Sequence, residues 1–165
     1  MIDNKKKGVV LIADDSLDSL GMLNEVLANE GYTVLVALDG LQALSIADLM
    51  TPDIILMDAI MPNMDGFEAC LALKQNSELA DIPVVFMTGL SESEDVIKGL
   101  EAGGVDYINK PIKLDELLAR VKVHLNNSRM TRNARVALDE VGQLTFACDL
   151  NGVITWSTKH VRQLL

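Results

Sequence analysis

Ile54-Ile55-Leu56-Met57 followed by Asp58 is an apolar run that ends abruptly in an acid. Four apolar residues in succession, without polar alternation, suit a strand covered on both faces. The texture recurs: Val9–Ala13 leads into Asp14-Asp15, Thr33–Ala37 into Leu38-Asp39, Val84–Met87 into Thr88-Gly89, and Asp106–Ile108 into Asn109-Lys110-Pro111. Between these runs lie stretches with helical spacing. Leu17–Asn29 carries Leu20, Leu23 and Leu27 and closes at Gly31, which can take the left-handed conformation that ends helices. Leu41–Met50 follows Asp39-Gly40 and stops before Pro52; Phe67–Gln75 follows Asp65-Gly66; Glu92–Ala102 follows the cap Ser91; a fifth helix starts at Leu114. Five strands and five helices in strict alternation predict an α/β fold with a doubly wound (βα)5 parallel five-stranded sheet.

Composition agrees. The chain has 165 residues, 49% of them apolar and 23% charged, enough to build a core and to exclude a wholly disordered chain. A net charge of −10 repels phosphate backbones and anionic lipid, which argues against nucleic-acid binding by the bulk of the chain. The charge is unevenly spread: residues 1–125 hold 9 Lys+Arg against 21 Asp+Glu, residues 126–165 hold 5 against 3. Apolar stretches such as Gly8–Ala13 fall far short of the ~18–20 residues that span a bilayer. Lys5-Lys6-Lys7, read as a solvated tail, is followed by Asp14-Asp15 and not by a cleavage site, so neither signal peptide nor membrane anchor is expected and the location is expected to be cytoplasmic. Cys70 and Cys148 form neither a disulfide framework nor a CxxC pair and read as small core residues.

After about residue 126 the texture changes. Leu114, Leu117, Leu118, Val121 and Leu125 mark one helical face, and Met130, Ala134, Ala137, Leu138 and Val141 continue the spacing to Gly142, so an extended fifth helix is expected, with Asn126-Asn127-Ser128 as a candidate break. Leu144–Asp149 and Val153–Trp156 flank Asn151-Gly152, the signal for a tight hairpin, and His160–Leu165 begins another helix. Expected divisions are thus 1–125, a helical extension or linker over 126–142, and a hairpin with a helix start over 143–165. A lone hairpin cannot bury enough apolar surface to stand alone, so it needs something to pack on.

In a doubly wound sheet of order 2-1-3-4-5, flavodoxin-like, ligands bind at the carboxyl ends of the strands, and the first and third strands are neighbours. Asp14, Asp15 and Asp58 should therefore converge. Two carboxylates ~4 Å apart repel by about 4 kcal/mol at an effective dielectric of ~20, so a cation or a raised pKa has to relieve them. Taken singly, Asp15 with Asp18 reads as acids at a helix N-terminus and Asp58 as a solvated strand end. Taken with the hydroxyl of Thr88 beside the small Gly89, and with Lys110 fixed by a turn at Pro111, they match what phosphoryl transfer to a carboxylate requires: a nucleophile, a magnesium site, and donors for the phosphoryl oxygens.

Asp14-Asp15, Asp58 with Met61-Pro62-Asn63-Met64-Asp65-Gly66, Thr88-Gly89, and Asp106-Tyr107-Ile108-Asn109-Lys110-Pro111 resemble, in order and over roughly residues 7–125, the receiver domain of two-component response regulators. The resemblance implies that Asp58 accepts a phosphoryl group from a sensor histidine kinase or phosphotransfer protein. Asp14, Asp15 and Asp58, with the backbone carbonyl of Ile60, would hold Mg²⁺ (or Mn²⁺). Lys110 would contact the phosphoryl oxygens, Thr88 would move to hydrogen-bond one, Tyr107 would turn inward behind it, and the face of the fourth helix, fifth strand and fifth helix would read out the change. Kinase specificity is placed on the first helix, around Leu17–Leu23. Ile60 and Leu90, both apolar and two residues beyond Asp58 and Thr88, are expected to hinder water and lengthen the life of the acyl phosphate.

Met57, Met61 and Met64 read as core filler and His124, with no acid or cysteine at ligand spacing, as structural. Leu144–Leu165 resembles the opening hairpin and first helix of a PAS-type sensory module, which implies a longer regulator carrying an output domain. The alternative is a stand-alone receiver-like interaction protein whose fifth helix, fourth-helix/fifth-strand face or hairpin, with Trp156 as anchor, mediates homodimerisation. An aspartyl-phosphate hydrolase usually carries a second acid two residues after its nucleophile. Asp58-Ala59-Ile60 lacks it, so turnover should be limited to self-phosphorylation and slow self-dephosphorylation.

Overall fold

A computed structural model of the chain describes residues 7–89 and 93–164. In chain order the elements are β1 Val9–Ala13, α1 Leu17–Asn29, β2 Thr33–Ala37, α2 Gly40–Met50, β3 Ile54–Asp58, α3 Gly66–Gln75, β4 Val84–Thr88, α4 Ser93–Glu101, β5 Asp106–Asn109, α5 Leu114–Glu140, β6 Phe146–Cys148, β7 Ile154–Ser157 and α6 Lys159–Arg162. β1 to β5 form one parallel sheet, as the alternating texture predicts, and its order is the expected 2-1-3-4-5. The chain divides into two compact units, Met1–Leu125 and Asn126–Leu165.

The side-chain period of two sorts each central strand into two cores. Val10 and Ile12, Ile54 and Leu56, and Val85 and Met87 pack with Leu20, Leu23 and Leu27 of α1 and Leu117, Val121 and Leu125 of α5. Leu11 and Ala13, Ile55 and Met57, and Val84 and Phe86 pack with Ala43 and Ala47 of α2 and with Phe67, Ala69, Cys70 and Leu73 of α3. The continuous apolar runs thus reflect burial on both faces for β1, β3 and β4. β2 and β5 differ: as sheet edges they are only partly covered, and Val36 is 46% exposed.

Three helix starts share one device. The side chains of Ser16, Asp39 and Asp65 accept the N–H of Ser19, Gln42 and Glu68, satisfying donors that have no partner inside the helix. α2 and α3 therefore begin at Gly40 and Gly66, one residue earlier than the pattern suggests. Gly31, at φ 94°, closes α1 as expected. Ser91 and Glu92, expected as cap and first residue of the fourth helix, lie outside the described residues.

Asn126-Asn127-Ser128 does not break α5, which runs 27 residues to Glu140 and ends before Gly142 at φ 68°. The propensity penalties of three polar residues, a few tenths of a kcal/mol each, do not outweigh good helix formers on either side. In the second unit β6 and β7 pair antiparallel, Arg135 lies 5.5 Å from the Trp156 ring centroid, and the Lys159 N–H donates to Asp139. The hairpin turn is not the two-residue type. Asp149 accepts the N–H of Asn151 and Val153 on its carboxylate, Gly152 N–H donates to the Asp149 carbonyl, and only Gly152 (φ 81°) is left-handed. The aspartate bonds make the longer turn, with a glycine bulge, the better one. Cys148, expected in a core, is exposed on β6, all three residues of which are exposed. No helix among the described residues is long and apolar enough to cross a membrane.

Candidate functional site

The pairing of Ala13 with Met57 brings Asp14, the next residue, beside Asp58 at the end of β3. Asp14 is fully buried, Asp58 nearly so, and Asp15 faces solvent. One carboxylate oxygen from each of the three lies within 4.8 Å of the others. Lys110, which follows β5, completes the cluster: its Nζ donates to Asp58 Oδ2 at 2.8 Å and to Asp14 Oδ2 at 2.9 Å. The remaining oxygens are held by the main chain, Asp58 Oδ1 by Ile60 N–H at 3.1 Å and Asp14 Oδ1 by Ser16 N–H at 2.8 Å.

Electrostatics follow from this arrangement. Burial pushes the Asp58 carboxyl above its ordinary value, against the pull of Lys110 and the Ile60 N–H, and the neighbouring Asp14 adds to the rise. Burial alone would lower the Lys110 ammonium, but its bonds to Asp58 and Asp14 win and raise it. A lysine shared between two carboxylates is the cation that the expected repulsion calls for. The donor set is entirely carboxylate oxygen at the mouth of the sheet, which fits a hard divalent ion completed by waters.

The other expected residues are placed as follows. Thr88 ends β4 and is buried, and its carbonyl accepts the Lys110 N–H at 2.8 Å. The Lys110–Pro111 peptide is cis. Among the described residues, a Cβ on Gly89 would meet nothing within 4 Å. Tyr107 is half-buried against the α2/α3 core and, with Phe67, Phe86, Thr88 and Val96, borders a small cavity beneath α4. Ile60 is 60% exposed. Leu90 lies outside the described residues. Met57 and Met61 are core residues, as read, and Met64 packs against that core.

Two features of the site were not read from sequence. A Cβ on Gly66 would lie 2.1 Å from the Asp58 carbonyl oxygen, so only glycine lets the start of α3 approach the end of β3. The Asp-Gly pair marked a helix start; nothing local marked the approach. His124 does have an acid partner, Asp106 on β5, whose Oδ2 lies 2.9 Å from Nε2 and also accepts from Arg120 at 2.6 Å. Burial would raise Asp106, but hydrogen bonds from His124, Arg120 and the Tyr107 N–H hold its carboxyl below the usual range. The pairing joins residues 18 positions apart, which ligand spacing along one helix does not reveal.

Residues 10–122 match the family described as the response regulator receiver domain. The DNA-binding dual master transcriptional regulator RpaA of Synechocystis sp. is 36% identical over 119 residues, 72% of this chain and 49% of RpaA. The DNA-binding response regulator MtrA of Mycobacterium tuberculosis is 39% identical over 119 residues, 72% of this chain and 51% of MtrA. The chain thus spans about half the length of these curated relatives. Among solved structures, the signal receiver domain of a signal transduction histidine kinase from Syntrophus aciditrophicus superposes with a TM-score of 0.69 at 38% identity, covering 73% of this chain and 91% of that one. With the sheet order, the strand-end acids and the family match all falling on the same residues, the chain belongs to the response regulator receiver domain family.

Proposed function

We propose that residues 1–125 act as a phosphoacceptor switch in which Asp58 takes the phosphoryl group. Receiver domains bind Mg²⁺ at an acidic pocket and work with histidine kinases or phosphotransfer proteins as switches rather than classical enzymes. The observation that carries the reading is the convergence of Lys110 on Asp58 and Asp14 at the sheet's carboxyl edge.

An Asp58 oxygen attacks the phosphorus of a phosphohistidine, forming an O–P bond as the P–N bond breaks, and the leaving imidazole nitrogen takes up a proton. Asp14, Asp15, Asp58 and the Ile60 carbonyl would hold the ion, Mg²⁺ or Mn²⁺, which when bound offsets negative charge on the transferring phosphoryl oxygens. Lys110, already aimed at Asp58, transfers its hydrogen bond to a phosphoryl oxygen. Thr88 follows with its hydroxyl beside Gly89, and Tyr107 moves into the cavity that Thr88 borders. Pro111 fixes the turn from which Lys110 reaches in. A shift from 1:99 to 99:1 between two packings needs ~5.5 kcal/mol of differential interaction, within reach of charge-assisted bonds to Lys110 and Thr88 plus the ion. The face of α4, β5 and α5 reads out the shift.

Ile60, exposed at the rim, and Leu90 offer no polar group to orient water, so the acyl phosphate is long-lived. Self-phosphorylation from a small acyl phosphate and slow self-dephosphorylation complete the reactivity, in a cytoplasmic setting. Segment 126–142 is the extension, and 143–165 is the PAS-like start or a dimer contact. Phe146, Leu150 and Val153, all more than half exposed, favour association of two copies, and a monomer at high micromolar concentration overturns that part. RpaA and MtrA are named as DNA-binding, the Syntrophus domain as part of a kinase; the output here is left to sequence outside the receiver.

The test is incubation with acetyl phosphate and Mg²⁺. Label that depends on Mg²⁺ and is lost in Asp58→Asn supports the reading; an unlabelled native chain, or label that survives the substitution, overturns it.

A further inference from the structure

One buried acid near the site has no part in the proposed chemistry. Asp39 lies between β2 and α2 and is 8% exposed. Its Oδ1 caps α2 by accepting Gln42 N–H at 2.8 Å, which is all that a cap requires. Its Oδ2 accepts Asn63 Nδ2 at 2.8 Å, reaching 24 positions along the chain to the loop between β3 and α3. Asn63 stands at φ 65°, a left-handed conformation that asparagine tolerates better than most residues.

Beside this bond, Gly40 N–H donates to the Met64 carbonyl at 3.1 Å, and a Cβ on Gly40 would lie 2.6 Å from that oxygen. The base of the loop is closed by Gly66 N–H on the Ala59 carbonyl at 3.0 Å. Ile60 sits between these fastenings: its N–H donates to Asp58 Oδ1 at 3.1 Å, but its largely exposed side chain adds little packing, so the orientation of its carbonyl follows the loop.

We propose that Asp39, acting through Asn63, is a positioning residue that sets the Ile60 peptide and thereby the capture of Mg²⁺ in the acidic pocket. The proposal rests on the phosphoacceptor reading, because that reading makes the Ile60 carbonyl a ligand. Groups hydrogen-bonded directly to a metal ligand characteristically cost ~10–100-fold in affinity when removed; the Asp39–Asn63 bond acts one step further out, on the loop that carries Ile60, and is expected at the lower end of that range.

The experiment measures Mg²⁺ affinity by isothermal titration calorimetry and the thermal unfolding midpoint on the full chain. Asn63→Gly keeps the left-handed backbone and removes the side chain. Asp39→Ser keeps a cap and removes the link. The double variant Asp39→Asn/Asn63→Asp exchanges carboxylate and amide, so that a donor and an acceptor again face each other at the same net charge. Each single variant is expected to bind Mg²⁺ about tenfold more weakly, and the exchange to restore binding to within about threefold of wild type. Single variants that bind as wild type, with or without a lower midpoint, make the pair a structural tie only and overturn the proposal, as does an exchange no better than the single changes. Wild type that binds Mg²⁺ but takes no label overturns the phosphoacceptor reading alone; wild type that binds no Mg²⁺ overturns both.

Discussion

Lys110 reaches across 52 positions of sequence to place its ammonium 2.8 Å from Asp58 Oδ2. Because the same nitrogen also binds buried Asp14, removing it leaves two carboxylates facing each other with no cation between them. Lys110→Met is expected to destabilise the fold by ~1–3 kcal/mol at neutral pH, less than for a fully buried pair because the lysine is partly exposed. The sign with pH follows from Asp58. Its folded pKa is already raised by burial and rises further without Lys110, so the variant regains stability as pH falls through that raised value toward the unfolded one. Chemical denaturation across pH, with and without millimolar Mg²⁺, checks this; Mg²⁺ should recover much of the loss.

Gly66 follows the helix cap Asp65 and Gly89 follows the site residue Thr88, and the two glycines differ in space. Gly66→Ala drives a methyl into the Asp58 carbonyl and is expected to cost ~1–3 kcal/mol and to weaken Mg²⁺ binding as β3 and α3 part. Gly89→Ala meets nothing among the described residues, and its unfolding midpoint should correspond to a change within ~0.5 kcal/mol. Equal effects of the two in thermal melts would contradict this assignment.

Asp106 ties β5 to α5 through Arg120 and His124. Its folded pKa is depressed, so its contribution is present above the unfolded value near ~3.9 and is lost as pH falls through the folded one. Asp106→Asn should therefore be less stable than wild type by ~1 kcal/mol at pH 7, and the gap should narrow as pH falls from ~4 through the lowered folded value. Urea denaturation at pH 7 and pH 3 reads the difference directly.

Ile60 offers water no polar partner at the rim of the site. Ile60→Glu should shorten the life of the Asp58 phosphoryl group, by up to the ~10²-fold that a positioned carboxylate can supply. Label decay after removal of donor measures it, and an unchanged half-life would remove Ile60 from control of the lifetime.

Strand-end chemistry was legible because four of the five apolar runs, all but Thr33–Ala37, lead into residues read as functional. Period and texture place Asp14, Asp58 and Thr88 at the ends of strands, and the doubly wound order then forces those ends together. The extension of α5 was legible in the helical spacing that continues to Gly142; the polar triplet at 126–128 offered a break that the helix does not take, because helix ends are decided by capping and by a residue such as Gly142, not by modest propensity. The hairpin and its turn at Asn151-Gly152 were legible, but the turn's form was not, since Asp149 bonds to main-chain groups two and four residues on and so favours a bulged turn over a shorter one.

The amino-acid sequence by itself determined which residues form strands and helices and which functional groups stand at their ends, because period, caps and apolar runs are local properties. Tertiary structure alone decided that one lysine serves two carboxylates, that Gly66 must lack a Cβ, that Asp39 reaches Asn63 and that His124 meets Asp106. Each of these depends on distances across 8 to 96 positions of chain, set by sheet register and helix packing rather than by any neighbouring residue.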